Sequence, residues 1–213
     1  MNLERLEMQL KKRWASKYKW GKRQVDIWDS QTDFVQRFTD FDEVNDEIVT
    51  QFNTHAKFED IRNYALSRWY DFQSARAIEY ILDAHPLVRK VKNVKGLERD
   101  LFINGVGYDH KVVMYPRSYS ETIEVAKSNK KELIQWLYEN DDEMNFHPRN
   151  RFYIVLHEEN GEHWKLKAEL KWIEKLIDTY FHEYSEQRLI ELTYNKGVIK
   201  ADAIFGVRQL SKV

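Results

Sequence analysis

Arg99–Met114, RDLFINGVGYDHKVVM, decides the fold, because one tight turn in it sets two carboxylates and a lysine side by side. Asn104-Gly105 is the strongest short hairpin signal a sequence carries: both turn positions need positive φ, which Asn and Gly tolerate. With these two as the loop, Ile103 faces Val106, Phe102 faces Gly107, Leu101 faces Tyr108 and Asp100 faces Asp109. Directly opposed residues point to the same face of a sheet, with Cβ atoms ~5 Å apart. Alternation along the strand adds Lys111 to that face. Like charges opposed on a hairpin destabilise it, so a positive group should sit between the two acids. Lys111 supplies part of that charge. A divalent cation with hard oxygen ligands, Mg²⁺ or Mn²⁺, would supply the rest.

Outward from the hairpin, the periodicities alternate between helix and strand. Upstream, Val88–Val94 is a short alternating strand, and Glu59–Ala84 is a long helical pattern with Ile61, Ala65, Trp69, Phe72, Ala75 and Leu82 as its apolar stripe. His85-Pro86 ends that helix. Glu79 falls in the stripe, where an acid must be paired or ligated. A salt bridge to Arg76 or to the neighbouring sheet and a role in a metal site are both open. Downstream, Pro116 stops the second hairpin strand, and Glu121–Asn140 contains a helix with Ile134 and Leu137 inward. Arg151–His157, RFYIVLH, is a continuous apolar run of strand length, as in a central strand buried on both faces. Asn160-Gly161 turns the chain into a helix through Leu166, Leu170, Ile173, Ile177 and Tyr180. Two last strands, Arg188–Tyr194 and Val198–Phe205, flank Asn195-Lys196-Gly197 as a hairpin. Near the N-terminus, residues 3–20 and 42–53 read as helices, and residues 21–39 show no clear period.

Asp, a hairpin, then Asp-x-Lys resembles the active-site core of the PD-(D/E)xK, or restriction-endonuclease-like, superfamily. In that family the two acids hold a metal, and the lysine orients or activates water and neutralises charge on the phosphate. By this resemblance Asp100 is the first acid, Asp109 the second and Lys111 the lysine. The backbone carbonyl of His110 is a further ligand, and Glu79 matches the acid on the helix before the sheet. Arg99 stands where the family has Pro, and Asp109 where Glu is more common. The order helix, three-strand meander, helix, strand is also the family's common core, with the motif acids on the second and third strands. The resemblance covers residues 60–206. It implies a mixed α/β fold with an N-terminal helical segment, residues 1–58, packed on a domain of residues 59–213 that ends in a helix plus hairpin. It further implies a Mg²⁺- or Mn²⁺-dependent endonuclease cutting DNA, and it allows a homodimer, although no interface pattern stands out.

Composition bounds these readings. The 213 residues suffice for one well-cored domain, and 42% hydrophobic content with seven Trp, twelve Tyr and eleven Phe argues against disorder. Seven Gly and three Pro favour long regular elements. The charged N-terminus does not read as a secretory signal, and no apolar run reaches the ~20 residues of a membrane span, so a cytoplasmic protein is expected. Zero cysteines excludes disulfides, thiolate zinc sites and cysteine nucleophiles. No HExxH, GxSxG or phosphate-loop signature occurs, so the histidines read as structural.

Net charge is −1, so no global basic field announces a nucleic-acid partner. Lys11–Arg23 nonetheless holds seven basic residues interleaved with Trp14, Tyr18 and Trp20. Lys11, Arg13 and Lys17 there suit a phosphate backbone, and an amphipathic helix with solvated lysines explains the same pattern. Arg149 and Arg151, just before the buried strand, suit phosphate oxygens, and a solvated strand edge is their alternative. Asp202, an isolated acid in an apolar strand, calls for a local partner. Three functions remain open: a metal-dependent nuclease, a catalytically degenerate module binding nucleic acid or protein, and a purely structural ion pair between Asp100 and Lys111. The last leaves Asp109 without a counter-charge.

Overall fold

The computed structural model describes residues 1–16, 26–90, 101–141, 149–194 and 197–209. The chain is mixed α/β with a six-stranded open mixed sheet. Two compact units divide it: Met1–Tyr80 with Lys167–Lys171, and Ile81–Leu166 with Trp172–Val213. The sequence places a boundary at residue 58; the units divide further on, after Tyr80.

The first unit is helical. Helix α1 (Leu3–Lys12) starts because the Asn2 side chain accepts from the Arg5 amide, and it buries Leu3, Leu6 and Leu10 on one face. It is shorter than the expected 3–20. The chain tightens into a 3₁₀ turn at Arg13–Ala15 and is extended by Ser16, whose carbonyl accepts from the Arg13 guanidinium. A short helix α2 (Asp26–Gln31) and a 3₁₀ turn (Asp33–Arg37) follow in the region without a clear period. Helix α3 (Phe41–Phe52) is capped by Asp40 and buries Val44, Ile48 and Phe52 at four-residue spacing. Helix α4 (Phe58–Ala84) buries Ile61, Ala65 and Trp69 as expected. Leu82 is buried as expected too, but Ala75 is exposed, and Gln73, Ala77, Ile78 and Ile81 are buried as well. Gln73 turns inward because its amide donates to the Phe38 carbonyl, which the Trp69 indole also reaches.

The second unit holds the sheet, in the order β1-β2-β3-β4-β6-β5. Strands β1 (Val88–Lys90), β2 (Leu101–Ile103) and β3 (Val106–Met114) form an antiparallel meander. The β2–β3 turn has Asn104 at φ 48° and Gly105 at φ 80°, and the register is the one read from the sequence: Leu101 with Tyr108, Phe102 with Gly107, Ile103 with Val106. Helices α5 (Ile123–Ser128) and α6 (Lys130–Glu139) carry the chain across to β4 (Arg151–Glu158), parallel to β3. The single expected helix is split because Asn129 leaves helical geometry at φ −125°, ψ 59°. Helix α7 (Leu170–His182) then leads to β5 (Ile190–Tyr194) and β6 (Gly197–Arg208). Strand β6 runs parallel to β4 and antiparallel to β5.

Strand β4 is buried along nearly its whole length, as its unbroken apolar run requires. On one face Tyr153 and Val155 pack with Leu133, Ile134 and Tyr138 of α6. On the other, Phe152 meets Tyr180 edge-on at 4.9 Å and stacks on Phe181 at 6.0 Å. Gly206 exists to let α7 approach: an added Cβ would lie 2.8 Å from the Trp172 ring and 2.9 Å from Leu156 and Leu176. Gly206→Ala should therefore overpack the layer by about 1–3 kcal/mol and lower the melting temperature by several degrees in calorimetry. An unchanged melting temperature would mean that α7 is free to shift away.

Candidate functional site

Strand β3 lies at the centre of the sheet, and its neighbour β4 sets what surrounds its charged residues. Asp109 pairs with Arg151 across the parallel seam, and the Asp109 amide donates to the Asn150 carbonyl at 3.0 Å. Asn150 fixes the start of β4 from both sides: its Nδ2 donates to the Gly107 carbonyl at 3.1 Å, and its Oδ1 accepts from the Lys200 amide at 2.7 Å. Arg149 is held through its own carbonyl, which accepts from the Tyr138 hydroxyl at 2.7 Å. Two arginines are thereby fixed beside one buried acid.

Asp109 is 7% exposed, and an isolated charge there would be strongly unfavourable. Arg149 Nη1 lies 3.3 Å from its Oδ2 and Arg151 Nη2 lies 3.7 Å from the same oxygen. Arg151 also donates through Nη1 to Asp141 Oδ2 at 2.6 Å, and Lys111 Nζ donates to that oxygen at 2.5 Å. The shorter contacts thus go to Asp141, just past the end of α6. Burial pushes the Asp141 carboxyl up, but the hydrogen bonds from Lys111 and Arg151 outweigh it and hold it below the usual aspartate range. Burial pushes the Arg151 guanidinium down, and Tyr153 with Asp141 more than restores it. Among the described residues the result is a line of charge, Arg149–Asp109–Arg151–Asp141–Lys111, with three cations against two acids. Its Lys111 end is open to solvent, with 45% of the side chain exposed.

Several sequence expectations meet this geometry. Asp109 and Lys111 stand two residues apart on one continuous strand, hence on one face. Asp100 and Lys17 lie outside the described residues. Arg149 and Arg151 are not a solvated strand edge: Arg151 is 4% exposed, and both contact acids. Arg13 does not suit a phosphate backbone, because it is fully buried, with Nη2 donating to Asn63 Oδ1 at 3.0 Å. Lys11 is engaged by Glu7 at 2.6 Å and Glu169 at 2.9 Å. Glu79 is half-buried on α4, within the unit of residues 1–80. The histidines of the 157–163 turn serve structure: His163 Nδ1 accepts from the Glu158 amide at 2.8 Å, and the two rings lie 4.8 Å apart.

Asp141 was not legible as a site residue. Its only signal is membership of the acidic run Glu139–Glu143, and Lys111 lies 30 positions away. The structure also gives Asp109 the counter-charge that the purely structural reading lacked, in the form of two guanidiniums.

For a hard divalent cation the carboxylate oxygens of Asp109 are the right donor type. Among the described residues no three His, Asp or Glu side chains are grouped to hold a metal, so a complete centre would need a ligand beyond them. No helix among the described residues is long and apolar enough to cross a membrane. No family model, curated protein or solved structure matches the chain.

Proposed function

We propose that the chain is a metal-dependent nuclease with a restriction-endonuclease-like core, hydrolysing DNA phosphodiester bonds. The observation that carries the reading is the acid–x–lysine pair on β3, with buried Asp109 and solvent-reaching Lys111 on one face of the meander strand that pairs with β4. Asp100, Asp109 and the His110 backbone carbonyl would hold Mg²⁺ or Mn²⁺. Bound there, the ion supplies Lewis acidity toward the phosphate and a more acidic water. Arg149 and Arg151 offset the charge of Asp109 and fix it in place, ready to act as a ligand. Lys111 rests on Asp141 and has the reach to turn toward a phosphate or the attacking water. A cationic group so placed stabilises the charge that develops on phosphorus.

A second reading is favoured by the same ion network. Arg149, Arg151 and Lys111 already neutralise Asp109 and Asp141, which suits a degenerate module that binds nucleic acid or protein without cutting. Calorimetric titration with Mn²⁺, together with cleavage assays on plasmid, linear, branched and single-stranded DNA, separates the two. The nuclease reading expects one bound ion and metal-dependent nicking. Neither ion binding nor cleavage of any of these substrates would leave the binding module.

A further inference from the structure

Strand β5 stops pairing with β6 at Ala201, and from there the outer side of β6 borders a cavity of about 460 Å³. That volume lies within the ~300–1,000 Å³ of small-ligand sites. Asp202, which lines it, is 1% exposed and fully engaged: Oδ2 accepts from the Tyr180 hydroxyl at 2.7 Å, while Oδ1 accepts from the Ala203 amide at 2.8 Å and from Lys130 Nζ. A buried acid so bonded is a fixed acceptor that holds Lys130 and Tyr180 in place. Burial, reinforced by Asp202, lifts the Tyr180 phenol far above its ordinary range, so it remains a neutral donor.

The rest of the lining brings cations and aromatic rings together with Glu183 and Ser185. Arg188 is well exposed and pairs with Glu183 at 3.4 Å, and Lys127 is exposed on α5. Both lining acids, Glu183 and Asp202, have a cationic partner, and Lys127 brings a third lining cation, while the Glu186 carboxylate also acts on Tyr184. Tyr184 packs against Tyr180 with ring centroids 6.0 Å apart, and Phe205 adds a second aromatic surface. A cavity with aromatic walls and cations at its mouth matches a flat ring carrying an anion. Asp109, Arg151 and Ala201 stand level across β3, β4 and β6, so Asp202 is one residue beyond that level, two strands and roughly 10 Å to the side.

We propose that this cavity binds a nucleotide, its base against Tyr184 and Phe205 and its phosphate on Lys127 and Arg188. The choice of nucleic-acid chemistry rests on the nuclease reading, and the source is a free mononucleotide or the end of a strand. The test uses full-length Lys111→Ala protein without divalent metal, so that substrate is not consumed. Calorimetry would compare deoxyadenosine monophosphate, inorganic phosphate, deoxyadenosine and a short 5′-phosphorylated single-stranded oligonucleotide. The monophosphate should bind at least roughly tenfold tighter than phosphate or nucleoside alone. Adding Lys127→Ala or Arg188→Ala should weaken it by about five- to tenfold each, and Tyr184→Leu by about tenfold. Lys127 and Arg188 are exposed, so circular dichroism should show both variants folded. Monophosphate binding with these sensitivities assigns a free nucleotide; oligonucleotide binding alone, with the same sensitivities, assigns a strand end. Binding of neither, phosphate binding as tight as the monophosphate, or binding that Arg188→Ala and Tyr184→Leu leave unchanged overturns the proposal. Wild-type protein that takes the nucleotide here but never cuts DNA with metal removes the nuclease reading alone.

Discussion

Lys111→Ala should lower Mg²⁺- or Mn²⁺-dependent DNA cleavage by at least about a hundredfold, the scale seen when one group that stabilises developing charge is removed. Folding should barely change. The Lys111 side chain is 45% exposed, its partner Asp141 keeps the 2.6 Å hydrogen bond from Arg151, and no core contact is emptied. An exposed ion pair contributes about 0–1 kcal/mol, so the melting temperature should stay within a few degrees. The separation of these two readouts is what makes the variant informative. A structural lysine would show the opposite pattern, with a measurable loss of stability and no loss of rate. Cleavage by Lys111→Ala protein at the wild-type rate would remove the lysine from the chemistry, and the resemblance to the nuclease core would lose its most specific residue.

The hairpin could be read because its determinants are local. Asn104 and Gly105 can both adopt positive φ, and a two-residue loop then leaves one register for Leu101–Ile103 against Val106–Tyr108. Strand β4 was legible for a similar reason, since a strand buried on both faces needs no polar residue along its run. Long-range charge placement is a different kind of information. That Arg151 stands beside Asp109 depends on the parallel β3–β4 register, which no local pattern encodes. That Asp141 receives Lys111 depends on where α6 ends over the sheet. Arg13 misled for a third reason: a basic residue in a basic stretch reads as solvated, yet its guanidinium is satisfied inside by Asn63 and the Ser16 carbonyl. Asp202 behaved as an isolated acid in an apolar strand should, finding Lys130, Tyr180 and a backbone amide. Its partners come from two different helices, α6 and α7, so only the fold could name them.

Arg151→Ala is the substitution expected to damage stability most. The guanidinium is 4% exposed and bridges two acids, Asp109 at 3.7 Å and Asp141 at 2.6 Å. Breaking a buried pair leaves uncompensated charge and costs about 3–5 kcal/mol, which in a protein of this size lowers the melting temperature by roughly 6–20 °C. Arg151→Lys should recover only part of this, because one ammonium cannot span two carboxylates as a planar fork does. The loss should also depend on pH. Lys111 and Arg151 depress the Asp141 carboxyl, so in the wild type its contribution is present above the ordinary aspartate value of ~3.9 and fades as pH falls through the lower folded value. Without Arg151 the Asp141 carboxyl loses one of the two hydrogen bonds that depress it and has less to lose. The gap between wild type and variant is therefore widest near neutrality and narrows on acidification below the ordinary aspartate value. Under the nuclease reading Mn²⁺ takes over part of the missing positive charge, so it should raise the melting temperature of Arg151→Ala more than that of wild type. A variant that melts with the wild type at pH 7 would show that the acids are neutralised by other groups. A variant that is destabilised but indifferent to Mn²⁺ would favour the ion network as a structural device within a binding module.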